Sequence, residues 1–215
     1  MTPDQVITAA RQFHNAVGDD FWSDAELFNH LYFCATRLAR DALCIQNRYT
    51  AVSVASQQEY EQPDRVISIK RVEYDGRKLD PIDFRQLDSV NLGPNGVAVT
   101  GTPMYYYWWD NVLGLHPIPA TAGLTIKVYT FDLPSFPSST TTLEIPTQYH
   151  SALVFGVRSL MSPKELGHPN TSYYSAEWEK AVKDVISSER KRKRGDKYRT
   201  VQREEDLINT TLGYV

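Results

Sequence analysis

YYYWWDNVLGLHPIPATAGLTIKVYTF, residues Tyr105–Phe131, is strand-forming sequence cut by two kinds of turn signal. Five aromatics in a row, Tyr105 to Trp109, cannot all turn inward from one strand. Successive side chains point to opposite faces, so both faces of this strand should be covered. Asp110-Asn111 suits a tight turn, since Asn and Asp tolerate left-handed geometry and bond their own backbone. Val112–His116 can then return antiparallel until Pro117 and Pro119, which have no donor for a ladder. In Thr125–Phe131, Ile126 and Val128 alternate with Thr125, Lys127 and Tyr129, the two-residue period of a half-buried strand. Three antiparallel strands are expected here, with helical sequence before and after them.

The flanking sequence supplies that helical frame. Thr2-Pro3-Asp4-Gln5 is a capping box with proline at the first helical position. Val6, Ala10, Phe13 and Val17 follow at helical spacing, closed by Gly18. Ser23 caps a second helix, with Glu26 placed to reach back and Trp22 to staple onto Leu27. Its stripe of Leu27, Leu31, Ala35, Leu38, Ala42 and Ile45 predicts a helix to about Tyr49. Thr50–Gln62 reads as a strand or extended connector. Val66–Tyr74 is a firm strand, and Asp75-Gly76 suits a hairpin turn. Asp80-Pro81-Ile82-Asp83 opens a short helix carrying Phe84 and Leu87. A Ser/Thr/Pro linker, Leu133–Thr142, leads to a helix with Tyr149, Ala152, Leu153, Gly156, Val157 and Leu160 on its inner face. Gly156 costs about 1 kcal/mol against alanine mid-helix, which suggests that another helix approaches closely there. A last helix with Tyr174, Trp178, Val182 and Val185 should end near Arg194, with Gly195 as its cap.

These segments predict an α+β fold: a bundle of about four helices, an inserted antiparallel β module and an extended C-terminal tail. The divisions are 1–49 for the N-terminal helices, 50–132 for the β module, 133–195 for linker and returning helices, and 196–215 for the arm.

Composition narrows function by exclusion. The chain has 215 residues, 41% hydrophobic and 23% charged, ordinary for a globular protein. Its 12% aromatic share fits a well-filled core or a buried interface. A net charge of −3 is not that of a polyanion binder. Cys34 and Cys44 fall in one predicted helix, about 80° apart around it and roughly 15 Å along it. They cannot bridge there, so buried thiols in a reducing cytosol are expected. No secretory leader and no membrane span is legible. Phosphate loops and a nucleophile elbow are absent. His14, His30, His116, His150 and His168 include no pair at i, i+4, and the carboxylates nominate no acid and base. No cofactor, metal or catalytic residue is assigned.

Two stretches suggest partners instead. Arg190-Lys191-Arg192-Lys193-Arg194 complements a helix C-terminus, yet five cations exceed what capping needs. Solvated surface is the plain reading; contact with a partner or with nucleic-acid phosphates is the functional one. Asp196–Asn209 has too few apolar groups to offset ordering at about 1–2 kcal/mol per residue. Leu207, Ile208, Leu212, Tyr214 and Val215 cluster at the far end of the tail as anchors for a partner groove.

In order, the phrases QEYEQPDRVISIKRVEYDGRKLDPIDFRQL, YYYWWDNVLGLHPIPATAGLTIKVYTFDLP and EIPTQYHSALVFGVRSLM resemble the head–tail connector adaptors of short-tailed bacteriophages. The resemblance covers roughly 57–189. It rests on the order of "LxLHPIP" and "IPxxYHxALVxGV" phrases more than on either alone. It implies a structural virion protein at the head–tail junction, assembled in the host cytoplasm and without a membrane. Such adaptors form a ring, commonly of about twelve copies, that seats the tail tube or nozzle under the portal. Their C-terminal segments reach along the portal, and their β modules face the next tail component. The partner-binding candidates are thus Arg190–Arg194, the apolar anchors after 206, and Tyr105, Tyr107 and Trp109. Packaged DNA is a further possible contact. Some relatives cut cell-wall glycan, but no catalytic residue maps onto this chain. A virion-associated peptidoglycan hydrolase and a small nucleic-acid binder are the alternatives.

Overall fold

The computed structural model describes residues 1–13, 21–90, 99–135, 140–162 and 171–211, with side chains for all of these except 88–90 and 194–211. The chain divides into two compact units, 1–44 with 136–215 and 45–135.

The first unit is helical. Helix α1 (Pro3–Phe13) opens on the expected reciprocal box: Thr2 N donates to Gln5 Oε1 at 3.0 Å and Gln5 N to Thr2 Oγ1 at 3.3 Å. Ser23 caps α2 (Asp24–Ala42) by accepting from Glu26 N at 3.2 Å. After a 3-10 turn at Thr147–Tyr149 comes α4 (His150–Met161), then α5 (Thr171–Thr211); α3 belongs to the second unit. Helix α4 is apolar nearly all round, which suits a helix packed on several sides. It meets α1, α2 and α5, burying Ala152, Leu153, Val154, Val157 and Met161. Gly156 makes that packing possible. A Cβ there would lie 2.8 Å from Cys34 Sγ on α2 and 3.1 Å from the Trp178 ring on α5.

The second unit holds β1 (Gln46–Val52), β2 (Glu59–Glu61), β3 (Val66–Tyr74), β4 (Arg77–Pro81), α3 (Phe84–Val90), β5 (Thr100–Gly101), β6 (Tyr105–Trp109), β7 (Val112–His116), β8 (Ile118–Pro119) and β9 (Thr125–Asp132). Seven strands form one curled sheet in the order β1-β9-β3-β4-β6-β7-β2. Asp75 and Gly76 turn β3 into β4, and Asp110 and Asn111 turn β6 into β7, all four with positive φ as mirror-image hairpin turns require. Tyr60, Val72, Tyr74, Leu79, Leu113, Leu115, Ile126 and Val128 fill the core.

Several expectations are corrected. A helical bundle with a β insert is not the architecture. Strands take 28% of the chain against 45% for helices, and the large sheet has its own core. Helix α2 stops seven residues early, because Leu43 adopts the left-handed conformation (φ 52°) and its N–H bonds Ala39 O. Leu43 and Ile45 continue the apolar spacing, but Gln46 already begins a strand. Strand β9 does not follow β7 in a meander; it lies between β1 and β3. The pairing is not all antiparallel either, since β4–β6 and β5–β8 are parallel. Leu160 is exposed. Finally, α5 does not end at Arg194 but continues through Gly195 to Thr211, so residues 196–211 of the stretch read as an extended tail are helix. One glycine costs only about 1 kcal/mol in a helix, too little to enforce a stop. Val17, Gly18, His14, His168 and residues 212–215 lie outside the described residues.

Candidate interaction surfaces

Strand β6 distributes its aromatics by alternation. Tyr106 packs toward the core, while Tyr105, Tyr107 and Trp109 share the other face. Among the described residues the cover over that face is uneven. Tyr107 is buried, whereas Tyr105 is 38% and Trp109 66% exposed, so the expected cover over both faces is incomplete. Phe84 packs there, with ring centroids 5.4 Å from Tyr107 and 5.5 Å, edge to face, from Trp109.

Tyr107 reaches across its neighbour strand. Its register partner on β7 is Gly114, which in turn faces Glu59 on β2. With no side chain at Gly114, the phenol lies over that backbone and donates to Glu59 Oε1 at 2.9 Å. A Cβ on Gly114 would sit 1.9 Å from Tyr107 Cζ. Burial first, then the bond to Glu59, pushes the Tyr107 hydroxyl pKa well up. A glycine within VLGLH signals this close approach in sequence. Phe84, the other half of the patch, carries no such signal.

The basic run is divided by helical rotation. Arg192 Nη2 donates at 2.9 Å to Glu189, which is buried and also accepts from Tyr149 Oη at 2.8 Å. Lys193 Nζ lies 3.3 Å from the carbonyls of both Ala42 and Leu43, where it satisfies the last turn of α2. Arg190 and Lys191 point outward, beside Lys183, Ile186 and Ser187. The backbone of Arg194, Leu207 and Ile208 is helical. Leu212, Tyr214 and Val215 lie outside the described residues.

Away from these surfaces, a buried carboxylate joins strands of the sheet. Asp132, fully buried at the end of β9, accepts from Asn47 Nδ2 (2.8 Å), Thr130 Oγ1 (2.6 Å), Arg65 Nε (3.3 Å) and the Tyr49 hydroxyl. These donors tie β1 and the start of β3 to β9. Nothing in the sequence distinguishes Asp132 from other strand-end carboxylates. Burial pushes Cys34 to about 12 and Cys44 to about 11, so neither thiol is activated. Among the described residues no group of three or more His, Cys, Asp or Glu could hold a metal, and no helix is long and apolar enough to cross a membrane.

A family model described as SU10 adaptor protein matches residues 1–204. No curated protein matches the chain.

Proposed function

The chain belongs to the SU10 adaptor protein family, and from that premise we propose that it forms the ring joining the portal to the tail tube or nozzle of a short-tailed phage. As a phage adaptor it is a structural component of the virion that contacts other virion proteins. The ring, closed by cyclic symmetry and, as the resemblance implies, of about twelve copies, sits at the head–tail junction and performs no catalysis. The observation that carries this reading is the family match over nearly the whole chain, joined to the order of phrases in 57–189.

For Tyr105, Trp109, Arg190 and Lys191 the assigned roles rest on exposure; for the residues after Lys193 they rest on the sequence. Tyr105 and Trp109, with Tyr107 beneath Phe84, form a rigid aromatic patch of the kind that anchors protein interfaces; it faces the next tail component. Arg190 and Lys191, with Arg194 in the same run, meet the portal or the DNA passing through the ring. Arg192 and Lys193 add to that field while bonding within their own unit. The last turns of α5, with Leu207 and Ile208, and then Leu212, Tyr214 and Val215 dock on the portal. Repetition around a ring lets individually weak contacts hold by multivalency.

The test is electron microscopy of the purified chain mixed with its portal. Closed rings stacked on the portal are expected, and removal of 196–215 should abolish stacking while leaving the melting temperature nearly unchanged. Normal docking of the truncated chain would contradict the assigned portal contact.

A further inference from the structure

Strands β1 and β2 are consecutive in the chain, joined by residues 53–58, yet they do not pair with each other. They occupy the two opposite edges of the seven-stranded sheet. The sheet's curl brings both edges to one groove of about 490 Å³, lined by Ala51 of β1, Gln57, Glu59, Tyr60 and Glu61 at β2, and Val112 of β7. The sheet therefore comes close to closing on itself and leaves a seam.

The seam presents unused backbone groups. Asp132 N donates to Ile45 O and Ser53 N to Leu124 O, which fixes the alternation along β1. Asn47, Tyr49 and Ala51 bond to β9, while Arg48, Thr50 and Val52 turn their N–H and C=O groups away from the sheet. Among the described residues these outward groups make no further backbone hydrogen bond. On β2, Leu115 N bonds Gln58 O and Gln62 N bonds Asn111 O. By the same alternation Tyr60 bonds to β7, and the backbone of Glu59 and Glu61 faces outward. The Glu59 carbonyl is met by Gln57 Nε2 at 2.8 Å, so β1 is the more open edge. An uncovered edge of this length is a ready template for another strand.

We propose that this seam binds an extended segment of another polypeptide, paired to β1 and carrying basic side chains at alternate positions. Glu59, whose Oε1 accepts from the Tyr107 hydroxyl, and Glu61 are both exposed residues and lie two positions apart on one face of β2. That is about 7 Å, the spacing of alternate side chains on an added strand. Thr50 and Val52 place no positive charge on the facing rim, and Arg48 is not among the groove's lining residues. The inward side chains of the segment meet Ala51 and Tyr60 and so must be small or apolar. Main-chain bonds supply affinity and the alternating pattern supplies selectivity, as in other strand-addition complexes.

The experiment uses the full chain and three synthetic peptides of about ten residues, enough to span β1: alternating lysine and valine, alternating glutamate and valine, and alternating lysine and proline. Fluorescence anisotropy measures binding, and hydrogen exchange with mass spectrometry reads the edge amides. The lysine–valine peptide should bind and slow exchange in segments containing Thr50 and Val52. The other two should bind at least about tenfold more weakly. Glu59→Gln with Glu61→Gln should lower affinity about tenfold at low salt and less at high salt. Thr50→Pro, which removes an outward N–H and no ladder bond, should abolish binding. The exchange readout on the unsubstituted chain stands even if that variant misfolds. The proposal is overturned if no lysine–valine binding occurs, if the lysine–proline peptide binds equally, or if the β1 amides stay unprotected. It is also overturned if protection rises with protein concentration without peptide, which would make the occupant a second copy.

Discussion

Tyr105–Trp109 and Arg190–Arg194 are each five residues of one chemical kind, and the fold splits both, by different periods. A strand sends alternate residues to opposite faces, so the aromatic run divides between a core face and a surface face. A helix turns about 100° per residue, so the basic run divides by direction: Arg190 and Lys191 outward, Arg192 and Lys193 into bonds with Glu189 and the end of α2. A run of like residues is thus not one functional object. Its members acquire roles from the period of the element that carries them.

The largest effects should come from the buried carboxylates that support each region. Asp132→Ala leaves four donors without their acceptor inside the sheet unit and should cost about 3–5 kcal/mol. Glu189→Ala removes the acceptor of Tyr149 Oη and frees Arg192, and should cost about 1–3 kcal/mol. Denaturant melts of both variants check the order. A milder loss at Asp132 than at Glu189 would mean that the strand-end network is not what holds β1 and β3 to β9.

Next come the glycines that let each region pack. Gly114→Ala drives a methyl into the Tyr107 ring and should cost about 1–3 kcal/mol. Pairing it with Tyr107→Ala should cost less than the two single changes added. Gly156→Ala meets Cys34 and Trp178 but recovers about 1 kcal/mol of helix propensity, so its net loss should be the smaller. Equal losses would show that α4 cannot shift to relieve the contact.

Acid should act on both units through one histidine each. His116 and His150 are buried, and burial lowers both pKa values; at His150 the bond to Ile145 O opposes the shift in part. A lowered folded pKa means the unfolded chain binds protons more readily. Stability is therefore whole above the unfolded value of about 6.5 and falls as pH drops below it. Melting temperature should decline from about pH 6.5 toward pH 5, and His116→Gln with His150→Gln should flatten that decline. An unchanged slope in the double variant would assign the acid sensitivity elsewhere.

Local chemistry made parts of this architecture readable in advance. The Thr2–Gln5 and Ser23–Glu26 caps, the Asp75-Gly76 and Asp110-Asn111 turns and the close approach at Gly156 each depend on residues a few positions apart or on one residue's size. What could not be read depends on distant partners. Leu43 and Ile45 keep helical spacing although the chain leaves the helix there, so the expected helix runs over the first residues of β1. Nothing in IKVYTF says that its neighbours are β1 and β3 rather than β7. The interaction surfaces were half legible for the same reason. Composition marked both runs, but Phe84 covers Tyr107, and Glu189 and α2 engage Arg192 and Lys193, through contacts that sequence spacing does not encode.

We propose that the outward half of each run is the partner-binding half. Sedimentation velocity of the chain with the proposed portal and tail partners, read together with melting temperature, tests this. Arg190→Ala with Lys191→Ala should weaken portal binding about tenfold at low salt and less at high salt, with melting unchanged. Tyr105→Ala with Trp109→Ala should do the same to the tail partner without the salt dependence. Arg192→Ala with Lys193→Ala should instead lower stability by about 0.5–2 kcal/mol and weaken portal binding less than the outward pair does. Unaltered assembly by the outward variants, with assembly lost in the inward one, would contradict the claim.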